Sequence, residues 1–439
     1  MSSPSARNSR EQARNALVLG LVALLSWAPP SRGEDWPRWL GPRRDGTSRE
    51  SGWLKAWPAG GPPVLWTKAI GSGYSAVAVV GRHLILFHRV ADELHVDSLE
   101  PKTGERNWRA SYGTDYEDPY GYDGGPRCCP IIEAGRVYTL GPKGILRVLD
   151  LESGKKLWSR DLRAEHELEP NFFGTGATPI IEKGVLYGHL GGTEIRRGSG
   201  VAFAYDAQSG KLRWKTPTDG GSYASPVIAT IDGASHLFVF HRGGMSCFDP
   251  ANGVERWKYR WHARAYDSVN ASIPIVAGDL LFFSATYGTG SVCLRVEKDS
   301  YEEVWKDDLL QRDRILEIHW SPASYLDGHL YGFSGRHSKG ATLRCVELQS
   351  GKVKWSWESY FYRGSMMYSD GHFIALGEFG DLALLKLSPE GHEEVARVRR
   401  TLRYPAWTVP TLVNGLLYLR DLERFICLDL RVKKTGPRP

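Results

Sequence analysis

Tryptophan recurs along this chain on one register, at positions 66, 108, 158, 214, 257, 305 and 355. The intervals run from 42 to 56 residues. A unit of that length cannot bury its own apolar face alone, so a chain made of such units must stack them or close them into a ring. The length of 439 residues points the same way, because single hydrophobic cores stop growing near roughly 250–300 residues.

A frame surrounds six of these tryptophans. Eight residues before each stands an acid: Glu100, Asp150, Asp206, Asp249, Glu297 or Glu347. Five before stands a small polar residue, and four before stands Gly104, Gly154, Gly210, Gly253 or Gly351, with Tyr301 as the exception. The acid ends a strand and accepts hydrogen bonds from the N–H groups of the following turn. The glycine supplies the positive φ that the turn requires. Upstream of each frame lies a short apolar strand, a glycine-bearing turn and a second apolar strand, as in Thr178-Pro179-Ile180-Ile181 before Gly184. There are eight such hairpins, with turn glycines at 81, 135, 184, 233, 278, 328, 371 and 415. Each unit therefore holds four strands.

Four-stranded units at this period predict an all-β chain: an eight-bladed β-propeller over residues 62–431. The eighth unit lacks a fourth strand, and the strand containing Trp66 has no hairpin before it. Pairing the two closes the ring and removes its open sheet edges. The seventh unit, 387–398, lacks the tryptophan, and merging it with a neighbour would give seven blades. Residues 34–61, with four further tryptophans, are expected to form an N-terminal strap, and 432–439 a C-terminal tail.

The first 33 residues read as a secretory signal: Arg7, Arg10 and Arg14 precede an apolar run over 16–28, too short for a comfortable membrane span. The expected location is the periplasm or the exterior, with no transmembrane segment once the signal is removed. Without those residues the chain keeps 52 basic and 49 acidic side chains. That balance is too even to argue for nucleic acid. The six cysteines include no Cys-x-x-Cys, so no metal site is expected. A monomer is expected.

The frame resembles the repeat of the pyrroloquinoline-quinone-like β-propellers, the quinoprotein-alcohol-dehydrogenase-like family. Residues 149–158 and 346–355 carry it most clearly. The opening Asp35-Trp36-Pro37-Arg38-Trp39-Leu40-Gly41-Pro42 resembles the start of secreted bacterial members. The family includes enzymes that bind the quinone and scaffolds that do not, so membership alone does not set function. As an enzyme the chain would be a PQQ- and calcium-dependent dehydrogenase. Such an enzyme needs oxygen ligands for Ca²⁺, a carboxylate base and a tryptophan floor under the quinone. Asn171, Asn270, Asp267, Trp320 and Trp407 are candidate pieces, but none sits in a motif of the catalytic members. The adjacent Cys128 and Cys129 are open to two readings. The resemblance implies a vicinal disulfide like that of quinone-dependent dehydrogenases. The pairs Ala177-Thr178 and Ala224-Ser225 at equivalent slots suggest instead two small residues on a crowded inner strand. Cys247, Cys293, Cys345 and Cys427 are expected as buried thiols.

In a propeller the inter-blade connections and the second-to-third-strand loops share one face. The long connections 112–127, 160–176, 258–272 and 306–320 place a binding surface there. Residues at or just before innermost strands converge on the axis. The expected contributors are Tyr122, Arg127, Phe172, Tyr223, Asn270, Trp320, Arg363 and Trp407. Aromatics give stacking area and arginine gives planar hydrogen bonding. The expected function is an exported scaffold that binds a protein partner or small ligand at this mouth, with no cofactor required.

Overall fold

The computed structural model describes residues 33–311 and 313–432. The expected signal segment through residue 32 and the tail from 433 lie outside the described residues. Eight sheets follow one another around an axis. The first blade runs from Ala78–Val80 through His83–Val90 and Glu93–Leu99 to Arg106–Gly113, all antiparallel. The next five repeat that order, ending at Lys156–Asp161, Leu212–Asp219, Glu255–Arg260, Tyr301–Lys306 and Val353–Trp357. The eighth consists of Thr411–Val413, Leu416–Arg420, Arg424–Asp429 and Val64–Ala69. Val64 pairs with Leu428 and Ala69 with Arg424, which is the expected closure.

The seven-blade alternative is overturned. The seventh unit forms its own sheet, Ser365–Ser369, His372–Leu376, Leu382–Ser388 and Gly391–Val398. Ala396 takes the strand position next to the bulge that tryptophan holds elsewhere. Trp57 of the strap packs into the same apolar cluster as Val395 and Ala396. The strap thus adds an indole to the cluster that the seventh unit shares.

The frame residues hold neighbouring blades together. The indole N–H of Trp66, Trp108, Trp158, Trp214 and Trp305 donates to a carbonyl in the acid-to-glycine turn of the next blade, and that of Trp355 to the Ser388 carbonyl in the corresponding turn of the seventh, at 2.7–3.0 Å. The turn glycine lies against that same ring: a Cβ on Gly154 would fall 2.5 Å from Trp108. Where the glycine is replaced by Tyr301, that ring packs on Trp257 at 4.9 Å instead, and the Trp257 N–H has no hydrogen-bond partner. The acids act as turn caps: Asp150 accepts from the Ser153 N–H at 2.8 Å. The core is accordingly a ring of clusters between neighbouring blades, such as Phe87 and Val96 with Val137 and Leu149.

The strap crosses the end of the axis opposite the inter-blade loops. Trp36 bridges Val79 of the first blade, and Pro37 accepts from the Ile132 N–H of the second. Arg38 and Arg44 both reach the Ile181 carbonyl of the third. Thr47–Ser48 then lies parallel to the innermost strand of the seventh blade. Buried Glu50 accepts from the N–H groups of Asn414 and Gly415 in the eighth.

Candidate binding site at the channel mouth

The eight innermost strands leave a cavity of about 360 Å³ on the axis. That lies within the range of small-molecule sites. Its floor is Trp39, delivered by the strap and packed near Leu40, Ile273 and Val409. With Trp39 at one end, the channel forms a cup that faces the inter-blade loops.

Six of the eight expected contributors line this cup: Tyr122, Arg127, Tyr223, Trp320, Arg363 and Trp407. Two do not. Phe172 is buried behind the wall, with the Arg242 guanidinium over its ring at 4.8 Å, and the adjacent Phe173 faces the cavity. Asn270 is buried, and its amide donates to the carbonyls of His241, Arg242 and Trp261. It orders a connection instead of facing a ligand.

Cys128 and Cys129 point to opposite sides, as successive residues of an extended segment do. Cys128 packs into the cluster between the second and third blades, and Cys129 lines the cup beside Thr178 and Ser225. The two are free thiols. The slot comparison with Ala177-Thr178 and Ala224-Ser225 describes this alternation, and the two sulfurs are not bonded to each other in this structure. Burial pushes the Cys129 thiol up to about 12, so it carries no thiolate at neutral pH. Cys247, Cys293, Cys345 and Cys427 are buried and free as well.

Aromatic rings form most of the wall. Trp407 lies 5.2 Å from Tyr74 and 5.7 Å from Trp320, centroid to centroid. The cations among them are matched by carboxylates. Arg127 pairs at 2.8 Å with Asp118, which has no exposed side-chain surface. Arg363 pairs at 2.8 Å with the equally buried Glu378. Arg336 lies 4.1 Å over Tyr287 and 3.4 Å from Asp267. Burial, helped by the charges of Arg363 and Arg336, brings His319 down to about 3, so its imidazole is neutral at pH 7. Its Nδ1 has no hydrogen-bond partner.

The sequence reasoning missed Trp39, Tyr74, Phe173, Tyr287, His319 and Arg336. Tyr74 precedes the first innermost strand, and the convergence rule reaches it if the closing strand is treated as a blade edge. Tyr287 and Arg336 sit on second-to-third-strand loops, which share the mouth face. Trp39 gave no signal, because the strap has no period.

The donor set does not fit calcium. Asp118 and Glu378 are held by arginines, and the side-chain Oδ1 of Asn171 accepts from the Phe172 N–H. Among the described residues no group of three or more His, Cys, Asp or Glu is placed to share an ion. The aromatic cup by itself has the shape to receive a flat molecule.

A family model described as outer membrane protein assembly factor BamB matches residues 50–306. The assembly factor BamB of Yersinia pestis is 22% identical over 335 residues, covering 73% of this chain and 76% of the relative. The crystal structure of BamB from Moraxella catarrhalis superposes with a TM-score of 0.59 at 14% identity, over 84% of this chain and 99% of that one. Quinohemoprotein alcohol dehydrogenase from Comamonas testosteroni gives 0.66 at 14% identity, over 94% and 83%. At that identity both structures speak to the fold alone.

Proposed function

The chain belongs to the PQQ-like propeller family described as outer membrane protein assembly factor BamB, and from that premise we propose that it is an exported scaffold that holds a protein partner at its mouth face during assembly of outer-membrane proteins. One observation carries the reading. Every carboxylate named at the cup is engaged by an arginine, so the site is built to bind and not to abstract a proton. Exposed aromatics beside it, Tyr120, Tyr122 and Tyr404, give a partner area to bury.

Periplasmic location is part of the proposal. The relatives named for the outer membrane support it, as does the amino-terminal Arg-rich and apolar pattern. Among the described residues no helix is long and apolar enough to cross a membrane. The test is deletion of the gene in its own bacterium. Folded outer-membrane barrels, read by heat-modifiable gel mobility, are expected to fall. The wild-type protein should restore them, and Tyr122→Ala/Tyr404→Ala should not. Unchanged barrel assembly in the deletion strain rejects the role. The competing dehydrogenase reading is tested by adding quinone and Ca²⁺ and following dye reduction with alcohols. Turnover there would replace the scaffold reading.

A further inference from the structure

We propose that the cup and the aromatic ribbon leading out of it bind a neutral oligosaccharide, with one sugar in the cup and the following ones along the rim. This rests on the mouth being the working face and adds a ligand class to it.

Charge selects the class. Three guanidiniums surround the cavity, and each already has a carboxylate partner: Asp118, Glu378 or Asp267. An anionic ligand would have to displace a buried carboxylate from Arg127 or Arg363, or compete with the exposed Asp267 for Arg336. A cationic ligand would meet guanidiniums stacked on the very rings it would use, Arg363 at 5.5 Å from Trp407 and Arg336 at 4.1 Å from Tyr287. A neutral ligand disturbs none of these pairs.

The surfaces suit a sugar. A pyranose has apolar C–H faces and a belt of hydroxyls at its edge. The C–H faces pack on electron-rich aromatic rings. The hydroxyls accept hydrogen bonds from guanidiniums and donate them to carboxylates, and such groups flank the rings here as Arg363 and as Arg336 with Asp267. Neutral His319 adds a ring nitrogen, Nδ1, that is buried and unpartnered.

The ribbon points to a chain of sugars. From Trp407 at the cup, ring contacts run outward to Tyr404 at 6.1 Å, then Phe379 at 5.0 Å, then Tyr362 at 5.1 Å. The last three are 53%, 43% and 39% exposed. A ligand confined to the cup leaves this exposed row without a role. A ligand with repeating apolar faces uses it.

The purified mature protein should be titrated with neutral gluco-, manno-, xylo- and chito-oligosaccharides of increasing length, following tryptophan fluorescence and heat. Oligogalacturonate and a proline-rich peptide serve as contrasting probes. At least one neutral series is expected to saturate, to bind more tightly as it lengthens, and to bind equally at low and high salt. Trp407→Ala should weaken every length about tenfold or more. Phe379→Ala should remove the gain from length and leave the shortest ligand unaffected. Melting curves establish that both variants are folded, and Tyr404→Ala replaces any that is not. Failure of every neutral series to saturate overturns the proposal, as does binding of only the charged or peptide probe. No glycan binding by the wild-type protein, with barrel assembly still dependent on it, sinks this inference alone; saturable glycan binding with unchanged barrel assembly in the deletion strain sinks the scaffold reading alone.

Discussion

At Gly154 two demands meet in one residue. Its φ is +70°, and a Cβ would lie 2.5 Å from the Trp108 ring. Gly135, in a hairpin turn, has φ +71° with nothing within 4 Å of its Cβ position. Alanine at either costs about 1–2 kcal/mol for the left-handed backbone, but only Gly154→Ala adds an overpacking cost of about 1–3 kcal/mol. Urea unfolding should show Gly154→Ala as the more damaging by about 2 kcal/mol. Equal losses would mean that the contact with Trp108 is not why glycine stands there. Arg127 makes a second prediction at this scale. Arg127→Ala leaves the buried Asp118 carboxylate unpaired and should cost about 3–5 kcal/mol. Arg127→Met with Asp118→Asn should recover most of it in the same urea series. A loss of ligand binding in Arg127→Ala alone is therefore not evidence of contact.

The strap and the closing strand are separate elements with separate duties. Residues 35–54 cover the axis by contacts to the first, second, third, seventh and eighth blades. Val64–Ala69 completes a sheet. A chain beginning at residue 60 should keep the ring closed but uncover the apolar surface around Trp36 and Trp53, binding a hydrophobic dye and melting earlier. A chain beginning at residue 71 also leaves Arg424–Asp429 as an unpaired edge and should aggregate in size-exclusion chromatography. Similar behaviour of the two truncations would show that closure contributes little. Turn chemistry made these elements readable. In Lys183-Gly184 and Asn414-Gly415 both residues take positive φ, the geometry of tight two-residue hairpins. The strap has no such repeat, and its route was not readable.

For the molecule as a whole, buried neutral histidines set the response to acid. Burial brings His189 down to about 3 and His241 down to about 4. His241 is hydrogen-bonded to Ser246, and the charges near it are Asp219, Lys258 and Glu255. Both folded values lie below the ordinary 6.5, so between them the unfolded chain holds more protons. Stability is thus full above pH 6.5 and is lost as pH falls towards the folded values. Going from pH 7 to pH 5 should cost about 2 kcal/mol per histidine, read as a fall in the urea midpoint. His241→Gln should flatten that slope by about its own share. A slope unchanged by the substitution would reject the assignment to His241.

The sequence by itself determined the ring. The acid, glycine and tryptophan of each frame lie within nine residues, and each acts through a turn or a contact with the next unit, so a period along the chain becomes a period in space. Six of eight units show it, one of them with Tyr301 in place of the glycine, and the pairing of Val64–Ala69 with Arg424–Asp429 follows from counting strands. Only the tertiary structure decided the mouth. Trp39, Tyr74, Tyr287 and Trp407 meet at one cavity from widely separated parts of the chain. They are carried by a strap and by loops of unequal length that follow no repeat. Whether Phe172 or Phe173 faces the cup, and whether Arg127 is free or held by Asp118, depends on the packing of those loops against one another. Short-range turn geometry carries no information about that packing.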